Sequence, residues 1–204
     1  MSGGVFTAKK IEFEDDAVDN ELEGTIFKID DAMHFEMVVL DALGSMGNAS
    51  AGSPTLVTLS NPAFQVKEDG LTVPNVQRGD FESAMDTSQL FPGQTVEVRI
   101  AGTTHQGPPM AVTASRVRLR MSQFTASVKA GSIAAPNFSV TALPMLFVNG
   151  GSSSVHVQTS SQTDFDGVSG LGALGDGSSV SLRGLLFKNG ELPPELIAKK
   201  VRQR

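Results

Sequence analysis

Arg116, Arg118 and Arg120 alternate along a strand-like stretch, Met110 to Arg120, with Arg99 placed to join them. Guanidinium groups at a spacing of two share one strand face, a geometry that can engage phosphates or an acidic polysaccharide. The same stretch can instead meet carboxylates of its own chain, and an acidic run is available in Glu14, Asp15, Asp16, Asp19 and Glu21. That run lacks the Asp-x-Asp-x-Asp-Gly order of a calcium loop, so it reads as a solvated acidic turn. Lys199, Lys200 and Arg202 form a second basic group near the C-terminus. These two basic groups and the acidic run are the candidate interaction surface.

Little else suggests chemistry. His34, His105 and His156 are far apart, and with no Cys in the chain a thiolate metal site or cysteine nucleophile is excluded. Gly170-x-Gly172-x-x-Gly175 imitates a dinucleotide fingerprint but opens no helix. Val168-Ser169-Gly170 is a superficial match to a nucleophile elbow. No catalytic, cofactor or metal residue is therefore assigned, and the chain is read as non-enzymatic.

The composition is that of a folded protein, with 40% hydrophobic and 19% charged residues over 204 positions. Twelve Phe accompany no Trp and no Tyr. Such rings are core fillers before they are stacking platforms, which argues against a base-stacking or sugar-stacking surface. Charge is unevenly placed. Through Met110 there are 17 acids and 6 bases, and from Ala111 on 5 acids and 10 bases, for an overall −6. An acidic front and a basic back favour contact between the halves or between molecules, and head-to-tail contact would build fibres.

Strand-like alternation recurs at Phe6 to Phe13, Leu22 to Ile29, Met33 to Leu40, Thr55 to Leu59, Phe64 to Val66 and Thr95 to Ile100. Beyond Arg120, strands are expected at Gln123 to Lys129, Asn137 to Leu143, Ser154 to Gln158, Ser178 to Phe187 and Glu195 to Val201. No segment keeps a 3.6-residue period over three turns, and one helical turn is expected within Asp80 to Thr87. The fold class is all-β, with short strands and Gly/Ser-rich loops.

An internal repeat organises these strands. Leu90-x-x-Gly93-x-x-Val96-x-Val98-Arg99 superposes on Leu174-x-x-Gly177-x-x-Val180-x-Leu182-Arg183, 84 residues on. Ala114, Arg116 and Val117 match Ala198, Lys200 and Val201 at the same offset, and Phe64 matches Phe165 at 101. The insertion Lys67 to Gln89 takes up the difference. Gly93 and Gly177 are expected to turn the chain sharply before a strand. Ala8, Lys10 and Ile11 repeat the pattern again at the front. The chain thus divides into residues 1–120 and 121–204, two tandem small β-barrels of OB-like or Greek-key-like kind, with 110–120 as the shared connection.

Gly24-Thr25-Ile26, Phe35-Glu36-Met37, Leu90-x-x-Gly93-x-x-Val96-x-Val98 and Ala114-x-Arg116-Val117 together resemble the bacterial domain of unknown function 5666. The second copy carries Phe138-Ser139-Val140, Leu174-x-x-Gly177 and Ala198-x-Lys200-Val201. The chain departs from that pattern in the Lys67 to Gln89 insertion and at Met121-Ser122, where a counterpart of Gly24 is expected. The resemblance implies tandem β-barrels in exported or lipid-anchored envelope proteins, with no assigned catalytic residues. Met1-Ser2-Gly3-Gly4 has neither the basic flank nor the apolar core of a secretory signal, a start that fits a mature form. The expected role is a structural or interaction module, associating with itself or with neighbouring repeats. The alternative is a barrel that binds glycan or single-stranded nucleic acid through its basic strand face.

Overall fold

The computed structural model describes residues 20–44, 50–105, 109–190 and 192–204. Phe6 to Phe13, Glu14, Asp15, Asp16 and Asp19 lie outside them. The described chain is mostly β, and none of its helices is long and apolar enough to cross a membrane. Five strands form in the first part: β1 (Glu21–Ile29), β2 (His34–Leu43), β3 (Pro54–Val66), β4 (Thr95–His105) and β5 (Met110–Val128). Five follow: β6 (Asn137–Thr141), β7 (Val155–Gln158), β8 (Asp164–Asp166), β9 (Ser179–Asn189) and β10 (Leu192–Gln203). The helices α1 (Asn75–Glu82) and α2 (Met145–Asn149) are short.

Inward residues alternate along β1, where Leu22, Gly24 and Ile26 are buried, and along β2, where Phe35, Met37 and Val39 are buried. That alternation sets which face meets the core, and hence the register. The pairings run β1–β2, β2–β3, β3–β5, β5–β4 and β4–β1, a closed ring of five strands in which only β3–β5 is parallel. A second ring runs β5–β6, β6–β7, β7–β10, β10–β9 and β9–β5, and only β7–β10 is parallel. The registers coincide as well. Val98 faces Leu22 and Val117, and Leu182 faces Phe124 and Val201. Phe35 faces Val57 as Phe138 faces Val157. Gly24 faces Val96, and Ala126 faces Val180.

Strand β5 is the main departure from expectation, since the stretches expected at Met110 to Arg120 and Gln123 to Lys129 merge into one 19-residue strand that ends at Val128. Its inward residues are Met110, Val112 and Ala114, then Val117 and Leu119, then Ser122, Phe124, Ala126 and Val128. Each slip of phase hides the continuity from a strict period of two. The second slip coincides with a change of partner: Arg120 pairs with Thr95 of β4, and Met121 with Leu185 of β9. Strand β3 likewise continues through Asn61-Pro62, where Asn61 takes φ 48° and the register against β5 slips.

The helical content exceeds one turn per unit. Instead of Asp80 to Thr87, the insertion holds α1 and a separate 3-10 turn at Thr87–Gln89. Leu71, Val73 and Phe81 from this segment join a core that also contains Leu185, Phe187 and Ile197. Phe81 stands edge-on to both Phe64 and Phe187. Gln77 Nε2 donates to Glu195 Oε2 (2.9 Å), and the Thr72 amide donates to Gln162 Oε1 (2.7 Å). The insertion therefore binds the first ring to the second.

Gly93 and Gly177 both adopt positive φ, 104° and 75°. A Cβ on Gly177 would meet nothing within 4 Å, whereas one on Gly93 would lie 2.6 Å from the Phe147 ring of α2. Gly177→Ala is expected to cost about 1 kcal/mol through backbone strain alone. Gly93→Ala should cost distinctly more, because strain is joined by a collision inside packed rings. Thermal unfolding midpoints compare them, and equal losses would refute a packing role for this corner.

Candidate interaction surface

Strand β4 lies between β1 and β5, so its outward residues sit between theirs. Glu21 is opposite Arg99 and Arg99 opposite Arg116, while Glu23 is opposite Glu97 and Glu97 opposite Arg118. Glu23 facing Glu97 is unfavourable by itself, as like charges directly across strands are. Arginines from β5 resolve it. Arg118 Nη1 donates to Glu97 Oε1 at 2.8 Å, Arg120 Nη1 to Glu97 Oε2 at 3.1 Å, and Arg120 Nε lies 3.3 Å from Glu23 Oε2. Arg116 pairs with Glu21 and stands 3.8 Å from Glu97. Arg118 also donates to Gln65 Oε1 of β3.

Glu97 is the hub, its side chain 8% exposed and shared by three arginines that are 16–26% exposed. Partial burial makes such a network stronger than surface pairs, because water screens it less. The stripe of Arg116, Arg118 and Arg120 is thus paired along its length with carboxylates of the front half. Arg99 also has an interaction partner.

The second basic group repeats the motif in a wetter setting. Lys200 lies opposite Asp164, and Arg202 opposite Asp166. Lys200 Nζ is 3.3 Å from Asp164 and 3.2 Å from Asp166, and Arg202 Nε donates to Asp166 Oδ2 at 2.6 Å. The hydrogen bond from Arg202, then that from Lys200, holds the Asp166 carboxyl below its ordinary value. Asp166 in turn raises Lys200. Lys199 approaches the turn at Gly70. A carboxyl with a lowered folded-state pKa stabilises above its unfolded value, and that contribution is lost as pH falls through the folded one. Asp166→Asn should therefore lower stability slightly at neutral pH and by less at an acid pH below the ordinary carboxylate range, as the contribution is lost towards the lowered folded-state value. Urea titrations at the two pH values check this.

His34 Nδ1 contacts Asp31 Oδ1 at 2.8 Å, and hydrogen bonds to Asp31 from the Met33 amide, then from His34, lower the Asp31 carboxyl. His156 sits on β7 opposite Glu195 and Ser139. Among the described residues no three His, Cys, Asp or Glu side chains gather as a metal site would require. Two shallow depressions flank Gly151, Ser152 and Ser153. One, of about 170 Å³, reaches Leu192, Pro193 and Pro194, and the other, of about 250 Å³, is floored by Ala142, Leu143 and Val148.

The carboxylates Glu23, Glu97, Asp164 and Asp166 were missed as site residues. Glu97 lies between two inward valines, so its outward direction was readable, but its partners depend on β1 and β5 registers set far away in sequence. A scan against protein-family models, a search of curated proteins and a search of solved structures each found no match.

Proposed function

We propose that the chain is a non-catalytic structural and interaction module, built as two copies of one small five-stranded β-barrel, residues 1–120 and 121–204. The observation carrying this reading is the coincidence of register: five pairings of the same order and sense occur twice, and they share β5. The change of partners after Arg120 supports the boundary. The resemblance of the repeat to envelope-protein modules, together with its Gly/Ser loops, supports an exported or envelope-associated setting.

Its charge pattern suits holding parts together. The pairs that Arg116, Arg118 and Arg120 make with Glu21, Glu23 and Glu97 turn part of the front-to-back complementarity inward, and Lys200 and Arg202 are paired within the back half, leaving correspondingly less charge for head-to-tail contacts. A barrel gripping glycan or single-stranded nucleic acid through the β5 arginines would first have to break those pairs. Titration of the full chain with a sulfated oligosaccharide and with an oligothymidylate, at about 50 mM salt, tests the choice. No saturable binding is expected. Saturable binding that weakens with salt and with Arg118→Glu would replace the structural reading by the ligand-binding one.

A further inference from the structure

Two rows of outward residues cross β1, β4 and β5: Glu21, Arg99 and Arg116, then Glu23, Glu97 and Arg118. Two rows also cross β5, β9 and β10: Gln123, Arg183 and Lys200, then Thr125, Ser181 and Arg202. The Arg204 amide donates to the Ser179 carbonyl at 3.0 Å and carries the basic edge one row further. Bases recur between the two sets, but the three carboxylates of the first have no match in the second. Lys200 and Arg202 instead meet Asp164 and Asp166 from β8. Arg183 and Arg204 are exposed and make no ion pair among the described residues. Arg183 also stands directly opposite Lys200, a like-charge pair that costs stability. Arg99 opposite Arg116 has Glu21 on its other side, whereas Arg183 has the neutral Gln123.

Four bases thus share two carboxylates on a face open to water, the Arg202 side chain being 56% exposed. Gln123, Thr125 and Ser181 beside them add amide and hydroxyl donors, so the face suits carboxylates more than apolar groups. Charge complementarity identifies the occupant. From Glu12 to Glu23 the chain has seven acids and no base. Glu21 and Glu23 are engaged by Arg116 and Arg120, and Glu14, Asp15, Asp16 and Asp19 precede the described residues. β1 and β5 run in the same direction, each antiparallel to β4, and β1 begins at the level of Arg116. Thr125 lies nine residues beyond Arg116, about 30 Å along the strand. Glu14 stands six residues before Asn20, a reach of at most about 21 Å. The run therefore meets this face in a neighbouring molecule. At −6 overall, two copies attract best where one of them is basic.

We infer that the outer face of β9 and β10, centred on Arg183, Arg202 and Arg204, binds the Glu14 to Asp19 run of a second copy. The inference rests on the structural-module reading and names its partner. The two surfaces differ, so the contact is head-to-tail and builds open chains unless its rotation closes a ring. Being made of charges, it loosens with salt.

Analytical ultracentrifugation of the full chain over a concentration series, in about 50 mM and about 500 mM sodium chloride, tests it. Wild type is expected to form oligomers at the lower salt and to return towards monomer at the higher. Reversing the face with Arg183→Glu and Arg204→Glu together should weaken association by about tenfold or more. These two side chains hold no partner in their own chain, so the fold tolerates the change. Reversing the run with Asp15→Lys and Asp16→Lys should weaken it similarly. An equimolar mixture of the two double variants retains one intact contact, and should give a heterodimer that grows no further. A monomer at every salt and concentration, association indifferent to either variant or strengthened by salt, or a mixture whose components ignore each other would overturn the inference. So would a monomer that binds the sulfated oligosaccharide and loses it with Arg183→Glu but not with Arg118→Glu, which would give the face to a polyanion. Failure of the structural-module reading is distinct, since it shows as binding lost with Arg118→Glu.

Discussion

Replacing Gly184 by alanine is expected to remove about 3 kcal/mol or more of stability, a large share of what a domain of this kind possesses. Gly184 lies on β9 with strands on both sides, paired to Ser122 of β5 and Ala198 of β10. An added Cβ would run into the Ile197 carbonyl oxygen, 2.9 Å from its carbon and 3.0 Å from Ala198 Cα. Every one of these neighbours is backbone, so no side-chain rotation relieves the clash. The strands must separate where the β9–β10 register already slips, between Ala198 and Lys200. Gly102→Ala on β4 is the control, with nothing within 4 Å of its Cβ. Urea unfolding of the two variants should differ widely in midpoint, and similar midpoints would show that β9 and β10 yield more easily than the geometry allows.

The second large effect is expected from Glu97→Ala. It strips the shared acceptor from Arg116, Arg118 and Arg120 and leaves three partly buried guanidinium groups crowded on one strand. Removing one member of a buried pair costs about 3–5 kcal/mol, and the exposure of the arginines discounts that to about 2–4 kcal/mol here. Glu97→Gln keeps acceptor capacity without the charge and should fall between. Added salt should recover part of the loss by screening the arginines from one another. In chemical denaturation, a Glu97→Ala chain no less stable than Asp166→Asn would mean that the network is surface decoration.

Strand alternation and the Leu-x-x-Gly repeat were legible because each depends on residues close in sequence. Leu90 and Leu174 are buried just before glycines of positive φ, as that pattern requires. Helix α2 was not legible. Its five residues, Met145 to Asn149, are too few to display a 3.6-residue period, and only burial of Phe147 between Gly93 and Phe124 explains why they coil. Strand β8 is three residues long and is defined by its partner Val201 more than by Phe165 itself. The arginine face of β5 could be read from its period of two, but not the carboxylates that meet it, since Glu21 and Arg116 are 95 residues apart and come together only across β4.

Nineteen residues of unbroken β5 serve both rings, with no linker between them. Neither ring can lose this strand without opening the other, since β4 and β9 are hydrogen-bonded to successive stretches of it. Melting should accordingly be a single cooperative transition, with calorimetric and van 't Hoff enthalpies in agreement, rather than the two steps of beads on a string.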